Sequence, residues 1–331
     1  RQKSNSYLLG ALDTKGEYKP AFYDVQTFLT YDFTTEWEIC FLANAAGNKY
    51  NVVPESRQSD FGTVNTAYRL TVFFDGQEVD EYKTYLGAVT VINRPDNKNL
   101  TLKYIASAYR ANESETFDIL GAYRLDALET DFGKDNFGQV SYNLGVGAFL
   151  NHARNNLDAT VYNFEHKGNK ILFSDSIRKF YSEYNWGAKY QHEEFNDKIS
   201  EWDMIDSAGY SIPLGNPDVI DLSSVVKTKI HLESNRLMGY AQGMWSKQNK
   251  DTAKISLNFG VRANYWDFND QLLISPRVIF SLKPNWKKDF VFKAAAGYYS
   301  QPPFYREFRD PSGKINYNIK AQNSIHFVLG S

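Results

Sequence analysis

The chain has 331 residues, a net charge of -2, 16% aromatic residues and a mean hydropathy of -0.51. No run of about 18 apolar residues occurs, which excludes a membrane protein built of helices, and the near-neutral charge leaves no footprint for nucleic acid. The single cysteine, Cys40, excludes an internal disulfide and a cysteine-rich metal site.

In chain order, Ser6 to Asp13 is a short strand candidate, followed by a loop at residues 15–20. Phe22 to Phe33 alternates, with Val25, Leu29, Tyr31 and Phe33 on one face. The turn Thr34-Thr35-Glu36 leads into Trp37, Ile39, Phe41 and Ala43, a hairpin. Gly47 to Ala67 reads as a polar loop, and Tyr68 to Phe74 as a strand broken at Asp75-Gly76. Glu81 to Ile92 is a strand ending in a turn at Arg94. Strand directions balance only if residues 68–75 and 112–138 are extensions beyond the membrane. Leu100, Leu102, Tyr104, Ala106 and Ala108 mark the next outward row.

Tyr142 to Leu150 is expected to reach a turn at His152-Ala-Arg-Asn155, and Leu157 to Phe164 to return. Residues 168–186 look like a loop. A hairpin is expected next, with its turn at Phe195-Asn-Asp-Lys198, and then a long loop from Asp206 to Lys229. A strand through Leu237, Gly239, Ala241 and Trp245 follows, turning at Lys247 to Asp251.

The clearest stretch is Thr252 to Arg309, three long strands in succession. Ile255, Leu257, Phe259, Val261, Ala263 and Tyr265 share one face; Lys254, Ser256, Asn258, Gly260, Arg262 and Asn264 share the other. Pro276, Val278, Phe280 and Leu282, then Phe290, Phe292, Ala294, Ala296 and Tyr298, repeat the pattern. Soluble strands mostly run ~5–6 residues, whereas these alternate for about a dozen, near the ~9–11 of a strand that spans a bilayer. Trp266, Phe268, Trp286 and Tyr299 fall near strand ends, where aromatic rings settle at a membrane interface. The reading is all-β: a partial antiparallel transmembrane β-barrel of about fourteen strands, with short periplasmic turns and long extracellular loops.

Leu273-Ile-Ser-Pro-Arg277, Ala295-Ala-Gly-Tyr-Tyr-Ser-Gln-Pro-Pro-Phe-Tyr-Arg-Glu307, Ala321-Gln-Asn-Ser-Ile-His326 and Val328-Leu-Gly330 resemble the barrel of TonB-dependent outer-membrane receptors. The likeness is to the subgroup that often carries a carboxypeptidase-regulatory-like domain. Residues 48–123 and 186–213 resemble it too. The resemblance implies a bacterial outer-membrane transporter that imports an oligosaccharide, peptide, siderophore or vitamin complex. It also implies an internal piece of a 22-stranded barrel, with its own plug domain upstream, TonB of the TonB-ExbB-ExbD system as energy source, outer-membrane lipid around it, and a surface lipoprotein lid as a candidate partner. A passive porin and a barrel enzyme of phospholipase or protease type are the alternatives.

No Gly-x-Ser-x-Gly elbow and no phosphate loop is present, so no enzyme and no cofactor is expected. His192-Glu-Glu194 offers too few same-face ligands for a metal, and Glu129, Asp131 and Asp135 lack the calcium-loop order. Expected ligand contacts lie in outward loops and beside them: Tyr181, Tyr184, Trp186, Tyr210, Asp218, Tyr299, Tyr305, Arg306 and Glu307. Aromatic faces suit sugars and apolar groups, and Arg306 with Glu307 suits polar ones. The 301–307 motif belongs to the general family pattern, which points to a structural role at the loop base. Lys254, Arg262, Arg277, Lys283 and Lys293 are assigned to the lumen wall, facing plug carboxylates, because charges facing lipid cost ~2–4 kcal/mol at midplane.

Overall fold

The computed structural model describes residues 2–4, 16–96, 99–174, 180–206, 222–248, 253–310 and 312–331. They form one antiparallel sheet of fourteen strands. The strands are β1 (Gln2–Ser4), β2 (Gly16–Tyr18), β3 (Ala21–Asp32), β4 (Trp37–Pro54), β5 (Arg57–Thr63), β6 (Thr66–Asn93), β7 (Leu100–Leu128), β8 (Val140–Ser174), β9 (Phe180–Asp206), β10 (Ser224–Gln248), β11 (Lys254–Trp266), β12 (Gln271–Lys283), β13 (Phe292–Gln301) and β14 (Gln322–Gly330). Neighbours in sequence are neighbours in space, except that β2 pairs only with β4 and β5 only with β6. Among the described residues no pairing joins β14 back to β1 or β3, so the sheet is open. No helix there is long and apolar enough to cross a membrane.

The three strands expected within 252–309 are β11, β12 and β13. The β3–β4 turn is also where the alternation placed it: the Phe33 amide donates to the Trp37 carbonyl at 2.9 Å, and the Thr34 hydroxyl accepts from the Glu36 and Trp37 amides at 3.2 Å.

Elsewhere strands are longer than the alternation suggested. β8 runs through 152–155 and β9 through 195–198, so neither expected turn exists. Residues 168–174 and 180–186 are strand instead of loop, as are 16–18, most of 47–67, and 224–229. Asp75-Gly76 is a kink inside β6. Gly76 has φ 108°, and a Cβ there would meet the Asp118 carbonyl oxygen of β7 at 1.8 Å, so only glycine fits. The 68–75 segment is therefore an extension of the strand that contains Glu81. The strand candidate at 6–13 lies outside the described residues.

Register fixes two faces. Residues paired across the ladders share a side, which puts Tyr31, Ile39, Val91, Tyr104, His166, Ala188, Gly239, Ala263 and Ile274 in one row. This face is apolar and uncovered: Phe164 is 61% exposed and Leu237 59%. Farther along β6 to β9 it becomes charged, with Lys83, Arg110, Asp158 and Lys198. The opposite face carries Glu193, Asp197, Lys254, Arg262 and Arg277, and the main buried cluster sits on it.

The β12–β13 ladder stops at Arg277↔Gly297, where Pro276 has no N–H to continue it. The connection between β13 and β14 folds back over β7 to β11 as a strap. Its 3-10 turn, Tyr305–Phe308, buries Tyr305 and Phe308 against Leu232 and Trp266, flanked by Leu157, Phe195 and Ile230. Phe195 stacks on Tyr305 at 4.5 Å and Phe268 on Phe308 at 4.9 Å.

Candidate functional site

On the polar face, β8 to β12 line a pocket of about 830 Å³. Its charged residues are Glu165, Lys167, Glu183, Lys189, Arg262 and Arg277. Glu165 is paired with Lys167 at 3.1 Å, and Glu183 accepts from Tyr181 at 2.6 Å, Asn169 at 2.7 Å and Asn185 at 3.1 Å. Both carboxylates are thus engaged. Among the described residues Lys189, Arg262 and Arg277 have no carboxylate in ion-pair range: Arg262 reaches only the Met238 sulfur at 3.9 Å, and Arg277 lies 4.4 Å over the Tyr299 ring. Gly187, Gly260 and Ser275 also line it, with the Tyr240 ring packed over Gly187 and the Gln242 Cβ close to Gly260. The pocket suits an anionic or strongly polar occupant.

The strap lies on the same face, over β7 to β11. Trp266 carries the Arg236 guanidinium 4.2 Å above its ring, and Arg236 donates to the buried Glu193 at 3.2 Å. Asp197, 5% exposed, accepts from the Tyr305 hydroxyl at 3.0 Å and from Arg309 at 3.1 Å. Burial, then the Asp197 charge, pushes the Tyr305 hydroxyl well above its usual range, so it stays a donor. Arg306 bonds Glu113 on β7, and Glu307 caps its own turn by accepting from the Phe304 amide at 2.7 Å.

Beyond the strap the polar face turns acidic. The carboxylates of Glu78, Asp80 and Glu115 lie within 4.8 Å of one another. Burial raises the Glu78 and Asp80 carboxyls above the normal range, with repulsion from Asp80 and Glu115 on the first and from Glu115 on the second.

The residues picked from sequence separate into groups. Arg262, Arg277 and Tyr299 meet at the pocket. Lys254 and Lys283 are direct partners across β11 and β12, with Lys283 bonded to Asp289 at 2.6 Å, and Lys293 pairs across from Ser281. All five wall cations share the polar face. Tyr305, Arg306 and Glu307 are the strap's anchors, and Tyr305 is buried.

Tyr181, Tyr184 and Trp186 are not in a loop beside the long connections. They lie in β9 at the end that carries the short turns, because the two expected turns at 152–155 and 195–198 are absent and the strand direction is reversed. Tyr184 and Trp186 are on the apolar face, where Tyr184 accepts from Trp245 at 2.9 Å and Trp186 covers Gly168. Tyr210 and Asp218 fall outside the described residues. His192 bonds Asn235 at 3.0 Å, and Lys134 at 2.8 Å holds Glu129 in a closed turn. Lys189, Glu193, Asp197 and Arg236 were not foreseen. Odd-number alternation of polar residues from 181 to 193 is a signal for Lys189 and Glu193; around Asp197 both faces are polar and the pattern is lost.

Compared with known protein families, with curated proteins and with solved structures, the chain finds no match.

Proposed function

We propose that the chain is part of the wall of a transmembrane β-barrel in a bacterial outer membrane, in a TonB-dependent transporter that imports a nutrient. The carrying observation is the apolar face. A soluble sheet covers such a face with helices or a second sheet, and here nothing among the described residues packs on it. From Ile255 to Tyr265 it spans ten residue steps, about 34 Å at ~3.4 Å each, and a tilt of about 40° reduces this to about 26 Å. A barrel's outward apolar band is about 25 Å tall. Closure by further strands at both open edges removes the unpaired backbone groups that lipid does not tolerate.

The transporter half of the reading rests on the motif resemblance and on the pocket. The four cations of the pocket outnumber its two carboxylates, and a polar wall with this net positive charge suits a lumen that is filled by a plug. Substrate would meet the strap side first, and TonB would act through the plug.

Two measurements test this. Membranes of cells expressing the protein are washed with alkaline carbonate; retention in the pellet and release only by detergent is the expected result, and release by carbonate removes the membrane reading. Uptake of the nutrient is then compared with and without TonB. Loss without TonB supports the transporter, whereas unchanged uptake makes the protein a passive porin.

A further inference from the structure

The apolar face carries a groove of about 460 Å³ where β6, β7 and β8 run side by side. Register places Ala43, Gly87, Ala108 and Tyr162 in one row, and Phe41, Val89, Ala106 and Phe164 in the next. The middle of each row is small or slender and the β8 end is aromatic. Three other glycines on this face lie beneath rings: a Cβ on Gly47 would strike Tyr23 at 2.4 Å, on Gly168 Trp186 at 2.1 Å, and on Gly243 Phe259 at 2.5 Å, whereas Gly239 is uncovered. Over Gly87 nothing lies within 4 Å. Its neighbours Tyr85 and Tyr162 stand half exposed beside the empty space.

One row farther along, the lip of the groove is cationic. Arg110 pairs across from Tyr85 and Lys83 follows on β6. Arg110 bonds Asp158 at 2.7 Å yet keeps 62% of its side chain exposed. Lys49 at 2.9 Å and Lys83 at 3.0 Å share the single carboxylate of Glu81. Three cations face two carboxylates, so the lip is net positive where the apolar floor ends.

We propose that this groove binds a membrane phospholipid with an anionic headgroup. The acyl chain lies over Gly87, Ala108 and Ala106, against Tyr162 and Phe164, and the headgroup phosphate meets Arg110 and Lys83. The strip of Gly87, Ala106 and Ala108 offers an alkyl chain contact without side-chain donors, with the Thr160 and Tyr162 hydroxyls at its side, and the lip complements a phosphate in charge and hydrogen bonding. Tyr85 sits at the junction of the two, the usual place for an amphipathic ring. The inference rests on the transmembrane reading.

The test uses the full-length protein in neutral detergent, titrated with phosphatidylglycerol and separately with phosphatidylcholine, with bound lipid counted by native mass spectrometry. Wild-type protein is expected to retain one phosphatidylglycerol in preference to phosphatidylcholine. A Cβ at position 87 meets nothing within 4 Å, and Gly87→Leu, which fills this open space, should lower retention of both lipids about tenfold. Arg110→Gln should lower phosphatidylglycerol retention about tenfold, the size of one charge-assisted contact, and leave phosphatidylcholine unchanged. Heat-modifiable migration on gels checks that each variant is folded. Undiminished retention in folded Gly87→Leu overturns the proposal. So does a wild-type dimer that Gly87→Leu converts to monomer, since the groove would then be an interface between copies. A wild-type protein that stays dispersed without detergent sinks the membrane reading and the groove with it, whereas a detergent-dependent protein with unselective lipid retention sinks the groove alone.

Discussion

Asp80 shows how much a single position on the polar face is governed by its surroundings. One of its carboxylate oxygens is buried without a partner, and burial with the Glu115 charge raises its pKa. An acid with a raised folded pKa holds its proton better folded than unfolded. Its ionised form therefore works against the fold as pH climbs through that value. Asp80→Asn is expected to raise the urea midpoint at about pH 8, with the gain shrinking toward about pH 4 as the wild-type carboxyl takes up its proton; a gain independent of pH would refute this account. Sequence alone placed Asp80 nowhere in particular. Its partner Glu115 lies 35 positions away, and only the β6–β7 register brings the two together.

At the scale of the element, legibility followed the apolar band. β3, β11, β12 and β13 were readable because one face of each is apolar and the period-two signal is strong. β8 and β9 were misread where they leave the band, because both faces there are polar and His152-Ala-Arg-Asn155 or Phe195-Asn-Asp-Lys198 then resembles a turn. The distinction is testable at Ala153, which is 0% exposed between β7 and β9. Ala153→Pro removes an N–H from a central strand and should cost about 3 kcal/mol or more, read as loss of the folded band on an unheated gel; a turn would accept it. The strap was readable only as a motif, since its contacts are to strands far away in sequence. Asp197 anchors both Tyr305 and Arg309 from a buried position. Asp197→Ala leaves Arg309 without its carboxylate and should destabilise the strap by about 3 kcal/mol. The expected readout is new tryptic cleavage after Arg306 and Arg309 with the sheet intact; protection equal to wild type would show that the aromatic cluster alone holds the strap.

Over the whole molecule one sheet presents an apolar and a polar face, which the membrane reading places in two unlike environments. Leu257 and Ser256 are adjacent and point to opposite faces, and the native thiol, Cys40, is buried and adds little background. In membranes, Leu257→Cys should react with a lipid-soluble maleimide and resist a charged one, while Ser256→Cys should do the reverse. Equal reactivity with the charged reagent would mean that neither face is in lipid. The free edge at β14 belongs to the same scale: Phe327 is 79% and Leu329 86% exposed, and its unpaired backbone groups are a template for a further strand.

The contact between Arg306 and Glu113 joins residues 193 positions apart. Ladder pairs between sequence neighbours can zip one after another, each hairpin adding to the last. The strap cannot join that progression: its seat on β7, β8, β9, β10 and the end of β11 exists only once those strands are side by side, and loop-closure entropy delays so remote a contact further. Docking of the strap is thus a late checkpoint in assembly. A chain that has paired its strands but not seated the strap is a distinct intermediate, whose Arg306 and Arg309 remain open to trypsin until the sheet is complete.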